Sequence, residues 1–110
     1  MIDLTGKNVL VTGGGGGIGA AICRAVVTAG GNVVVHDVRA GETVRALADE
    51  LGSSRCKLVT GDLANDAETV AVWKQAVAWR GRIDVLVNNA GIYEPADVSW
   101  DLERWAASWR

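Results

Sequence analysis

The sequence has no cluster of basic residues, no long apolar run, only two cysteines and a single tyrosine, and each shortage removes a class of function. Lys7, Lys57, Lys74 and the arginines are scattered along a chain of net charge -2, so the electrostatic footprint of a nucleic-acid binder is missing. No segment approaches the roughly 18 apolar residues of a membrane span. The opening Met-Ile-Asp-Leu-Thr-Gly-Lys reaches a strand without a charged leader and apolar run, which predicts a cytoplasmic chain. Cys23 and Cys56 fall in apolar stretches with no Cys-x-x-Cys or histidine spacing. They read as buried thiols in a reducing compartment rather than a disulfide or a metal site.

What remains is an ordinary globular composition, 49% hydrophobic and 22% charged in 110 residues, enough for one domain with a real core. Four short runs rich in Val and Leu, Val9 to Thr12, Val33 to His36, Leu58 to Thr60 and Val85 to Val87, do not alternate apolar with polar. That is how strands covered on both faces of a parallel sheet look. Between them, Ile18, Ile22, Ala25, Val26 and Ala29 share a helical stripe, as do Val44, Leu47, Ala48 and Leu51 before Gly52. Asn65 and Glu68 have the spacing of a capping box, opening a third helix with an inward stripe of Val70, Trp73 and Val77 and a stop at Gly81. The expected fold is α/β, a Rossmann-type doubly wound parallel sheet truncated after about four strands. Ser99 caps a last helical pattern carrying Leu102, Trp105 and Trp109, which runs to Arg110 as if cut in mid-helix. The tryptophans read as packing residues rather than stacking platforms.

Five successive glycines, Gly13 to Gly17, then Ile18 and Gly19, lie between the first strand and the first helix. Such a placement lets the backbone turn tightly and approach a pyrophosphate, whose charge the helix start favours. Two registers fit: Gly14, Gly16, Gly19 and Gly13, Gly17, Gly19. No Gly-Lys-Ser or Gly-Lys-Thr follows, which excludes a P-loop. Asp37 ends the second strand 18 residues beyond Gly19, close to the spacing of roughly 20 for a carboxylate on the adenosine ribose. It would repel a 2'-phosphate, and Gly14 and Gly15 offer no basic side chain, so NAD is expected over NADP, although Arg39 lies nearby. His36 reads as a strand-end packing residue rather than a ligand or base.

Asp62-Leu63 follows the third strand and Asn88-Asn89-Ala90-Gly91 the fourth, both at carboxyl ends of strands. With Thr12-Gly13-x-x-x-Gly17-x-Gly19 they resemble, in order and over essentially the whole chain, the short-chain dehydrogenase/reductase family rather than its extended, epimerase-like branch. The resemblance implies that Gly13, Gly17, Ile18 and Gly19 surround the pyrophosphate and that Asp37 holds the adenosine ribose. Asp62 and Leu63 would flank the adenine, Asn88 would fix the central strand, and Asn89, Ala90 and Gly91 would run past the cofactor.

The family's Tyr-x-x-x-Lys pair is absent: Tyr93 is followed four residues later by Asp97, and no lysine occurs after Lys74. Ser99 is better read as a helix cap than a catalytic serine. The expectation is therefore the cofactor-binding portion, residues 1–110, of an oxidoreductase acting on an alcohol or carbonyl, with no catalytic residue in the chain and a homo-oligomer only weakly implied. Two other readings stand beside it: a stand-alone NAD-binding module without chemistry, and a methyltransferase using S-adenosylmethionine.

Overall fold

A computed structural model describes residues 2–90. Strands β1 (Asn8–Val11), β2 (Asn32–Asp37), β3 (Cys56–Thr60) and β4 (Val85–Val87) alternate with helices α1 (Gly17–Thr28), α2 (Glu42–Leu51) and α3 (Asp66–Arg80). All strand pairs are parallel, in the order β3-β2-β1-β4, with Val9 beside both Val33 and Val85. The α/β fragment of a doubly wound sheet is therefore present. The chain leaves β1 toward β2 on one side, and β4 joins on the other, so the switch point lies between β1 and β4.

The pleat sends alternate valines to opposite faces. Val9, Val11, Val33 and Val35 pack with Ala20, Cys23 and Val26 of α1 and Val44 and Leu47 of α2. Leu10, Val34 and Val59 pack with Val72 and Ala76 of α3. The expected stripe of α2 is the observed one, with Ala48 and Leu51 partly buried beside Val44 and Leu47.

Two helices depart from expectation. On α1, Ile22 and Val26 of the expected stripe pack on the core together with Gly19, Ala20 and Cys23, whereas Ile18 is 72% exposed and Ala25 is exposed as well. On α3, Val70 and Trp73 face outward, while Val72 and Ala76 face the sheet with Trp79 partly buried beside them. Close approach is the reason: a Cβ on Gly61 would lie 2.7 Å from a Val72 methyl, so the helix sits where its smaller residues meet the strands. Asn65 caps α3 by accepting a hydrogen bond from the Glu68 N–H, but the Glu68 carboxylate accepts from the Asp62 N–H rather than from Asn65. Half of the expected capping box forms. Gly81 then ends the helix in the left-handed conformation, as expected.

The amino ends of the strands are tied by side chains. The Asn8 N–H donates to the Asp84 carboxylate at 2.8 Å, its amide donates to the Arg82 carbonyl, and the Asn32 amide donates to the Asn8 side chain. Arg55 donates in turn to the side chain of Asn32 and the carbonyl of Gly30. No helix among the described residues is long and apolar enough to cross a membrane. Cys23 and Cys56 are free and buried, with burial pushing their thiols up to about 12 and about 11.

Candidate functional site

At the carboxyl ends of the strands, the glycine run divides into two parts. The N–H groups of Gly13, Gly14 and Gly15 all donate to the end of β2: to His36 Nδ1 at 3.3 Å, the His36 carbonyl at 2.7 Å and Asp37 Oδ2 at 3.0 Å. These three amides hold the turn. Those of Gly17, Ile18 and Gly19 open α1 and have no intrahelical acceptor, and Gly16 has no side chain to cap them. Open N–H groups at a helix start, with the helix dipole behind them, suit an anion.

Gly13 has φ +67°, and a Cβ there would lie 2.9 Å from Ala90 Cα. At Gly19 a Cβ would lie 2.5 Å from the Gly13 carbonyl oxygen and 2.9 Å from the Asn89 amide nitrogen. Glycine is required at both for close packing of loop, helix and β4. Among the described residues, nothing lies within 4 Å of the Cβ position at Gly17. A backbone cradle with open space at the helix start fits a pyrophosphate.

A second loop closes the cradle. Buried Thr12, at the end of β1, accepts hydrogen bonds on its hydroxyl from the N–H groups of Asn89 and Ala90, each at 3.0 Å. Asn89 donates its side-chain amide to the Gly13 carbonyl at 3.2 Å. Among the described residues it is Asn89, not Asn88, whose side chain makes this tie; Asn88 is exposed.

Asp37 lies beside the loop with both oxygens engaged, Oδ2 by Gly15 and Oδ1 by the Val38 N–H at 2.8 Å. A carboxylate has further lone pairs, so it retains capacity for ribose hydroxyls. Asp62 is exposed at the end of β3, its carboxylate accepting from the Ala64 N–H, and Leu63 packs partly against the α3 core. Exposed Ile18 stands at the rim of the cradle. Gly13, Gly17, Ile18, Gly19, Asp37, Asn89 and Ala90 thus come to one edge of the sheet around its switch point, with Asp62 and Leu63 at the end of the outer strand β3. Gly91, Tyr93, Ser99, Leu102, Trp105 and Trp109 lie outside the described residues.

Two residues of this edge carry more than the sequence reading assigned them. From sequence, Thr12 has a place at a strand end and in the glycine pattern but no bonding role, and its hydroxyl joins β1 to the loop after β4. His36 is fully buried with both ring nitrogens engaged. The available signal was a polar side chain interrupting a valine run immediately before the loop or its carboxylate.

A parallel sheet whose switch point is lined by a glycine cradle, a strand-end carboxylate and an Asn-Asn-Ala turn defines a dinucleotide-binding type of site. The chain belongs to the short chain dehydrogenase family, whose sequence pattern matches residues 7–108. Nodulation protein G of Rhizobium meliloti (strain 1021) is 42% identical over 108 residues, 93% of this chain and 43% of that protein. Oxidoreductase UcpA of Escherichia coli (strain K12) is 42% identical over 94 residues, 84% of this chain and 35% of that protein. A 3-ketoacyl-(acyl-carrier-protein) reductase from Brucella melitensis, solved with NADH, superposes with a TM-score of 0.83 at 30% identity, covering 96% of this chain and 44% of that one. A blue fluorescent protein from a metagenomic library, solved with NADPH, superposes with a TM-score of 0.85 at 34% identity, covering 96% of this chain and 45% of that one. The chain spans less than half the length of these relatives.

Proposed function

We propose that residues 1–110 form the cofactor-binding portion of a cytoplasmic, NAD-dependent oxidoreductase acting on an alcohol or carbonyl substrate. The bound nicotinamide would supply hydride chemistry, and this chain's residues would place it. Gly13, Gly17, Ile18 and Gly19 surround the pyrophosphate, Asp37 receives the adenosine ribose hydroxyls, and Asp62 and Leu63 flank the adenine. Asn89, Ala90 and Gly91 line the cofactor's path past β4. Proton transfer falls to residues outside this chain, since Tyr93 lacks a lysine four positions on.

The observation that carries this reading is the division of the glycine run: three amides spent on β2, three left open at the start of α1. The preference for NAD rests on Asp37. Its carboxylate is fixed beside the loop, and a Cβ on Gly15 would lie 2.2 Å from Oδ2, so the loop has no room there for a basic side chain to bind a 2'-phosphate.

Titration of NADH and NADPH against the full-length polypeptide, followed by nicotinamide fluorescence, tests both statements. NADH is expected to bind at least about tenfold tighter, since the carboxylate repels the extra phosphate. Equal or tighter NADPH binding would remove the NAD preference and point to exposed Arg39 as the phosphate partner. Binding of neither dinucleotide, or of S-adenosylmethionine instead, would sink the assignment.

A further inference from the structure

We infer that His36 is a positioning residue for the anion-binding loop, fastening Gly13 to the end of β3 through one fixed tautomer. The inference rests on the dinucleotide-binding reading above. His36 is the single histidine of the chain, and no part of its side chain reaches solvent. Its Nδ1 lies 3.3 Å from the Gly13 nitrogen and its Nε2 lies 2.8 Å from the Gly61 carbonyl oxygen.

These partners determine the proton's position. A backbone N–H only donates, so Nδ1 must offer its lone pair to Gly13; a carbonyl only accepts, so Nε2 must carry the hydrogen toward Gly61. The imidazole is thus the neutral Nε2–H form. An imidazolium would set two N–H groups against each other at Gly13.

The arrangement joins three strand ends. Gly13 follows β1, His36 belongs to β2 and Gly61 follows β3. Gly13 is also the residue whose positive φ turns the chain toward α1, so the direction of its N–H bears on where the open amides of Gly17, Ile18 and Gly19 stand. An apolar residue of the same size would leave the Gly13 donor and the buried Gly61 acceptor without partners. Packing alone requires neither hydrogen bond.

The two contacts can be separated by side-chain length. In His36→Asn the amide oxygen takes the place of Nδ1 and keeps an acceptor for Gly13. In His36→Gln the terminal amide reaches the place of Nε2 and keeps a donor for Gly61, whereas His36→Leu keeps neither. In the full-length polypeptide, NADH affinity is expected to stay within about threefold of wild type for Asn and to fall about tenfold or more for Gln and Leu. Exchange of the Gly13 amide hydrogen, followed by NMR without cofactor, is expected to accelerate in Gln and Leu but not in Asn.

Imidazole nitrogen shifts of the wild type are expected to show a bare Nδ1 and a protonated Nε2. An Nδ1–H tautomer, or a Gln variant matching wild type in affinity and Gly13 exchange, would overturn the inference and leave His36 a packing residue. If the Leu variant does not fold, the contrast between Asn and Gln decides alone. If wild type fails to bind NADH, the functional reading falls, while the nitrogen shifts and Gly13 exchange still decide the role of His36.

Discussion

The two ends of the sheet are both held by polar contacts, but side chains take different parts in them. At the amino ends, side chains both give and receive: Asn8, Asn32, Arg55 and Asp84 bridge β1, β2 and the segments before β3 and β4, beside backbone bonds such as that from the Asp84 N–H to the Asn8 carbonyl. At the carboxyl ends the N–H groups of Gly13, Gly14, Gly15, Asn89 and Ala90 do most of the bridging, received by Thr12, His36 and Asp37. On the proposed function, a ligand that must approach the backbone is accommodated at the end where glycines leave it bare.

The largest effect is therefore expected from adding a side chain at the carboxyl ends. Gly19→Val would drive its Cβ into the Gly13 carbonyl and the Asn89 amide, and it should lower NADH affinity by about 100-fold and the Tm by about 10 °C. Wild-type binding by this variant, read by nicotinamide fluorescence, would mean the loop is not packed as described. Thr12→Val is nearly isosteric and leaves the Asn89 and Ala90 N–H groups without their acceptor. A destabilisation of about 2 kcal/mol is expected in urea unfolding, with NADH binding weakened alongside it.

The amino ends should respond to protons instead. The Asn8 N–H, with lesser help from Arg82 and Lys7, holds the Asp84 carboxyl below its ordinary 3.8. Its folded form therefore binds a proton less readily than the unfolded chain. The stabilisation is complete above the ordinary value and is lost as pH falls through the lower folded one. Asp84→Asn should flatten the decline of Tm below about pH 4 while leaving NADH affinity at neutral pH unchanged. An unaltered acid limb would show that other carboxylates set it. The smallest effect belongs to a contact at neither end: Arg24 and Glu50 form an exposed pair at 2.7 Å between α1 and α2. Arg24→Ala should shift the Tm by no more than about 2 °C, and that little should vanish in high salt.

Strands buried on both faces and a helix with one apolar stripe were legible from the sequence: the valine runs of β1 and β2 and the stripe of α2 are examples. The positions of the glycine loop and Asp37 were legible too, because their constraints are local to the backbone. The cover expected over both faces of β4 is not found, since Val85 and Leu86 are exposed among the described residues. The facing of α3, and in part of α1, was not legible, because each carries apolar residues on more than one side. Hydrophobic spacing favours large residues such as Ile18 and Trp73, whereas contact distance to the strands selects Ala20, Cys23, Val72 and Ala76. The hydrogen bonds of Thr12 and His36 were not legible for another reason. Their partners lie 23 or more positions away, and only the stacking of strand ends reveals them.

The open positions at Gly16 and Gly17 have a consequence for the unfolded chain. Neither has a positive φ, and among the described residues neither has a neighbour closer than 3.8 Å to where a Cβ would sit. Glycine there is not demanded by the protein's own geometry, yet its freedom makes the unfolded ensemble broader and folding less favourable. Replacing either by alanine should raise stability by about 0.4–1 kcal/mol. If the same replacement weakens NADH binding, the surplus disorder of the unfolded loop is the cost of leaving the backbone bare at the helix start in the folded one.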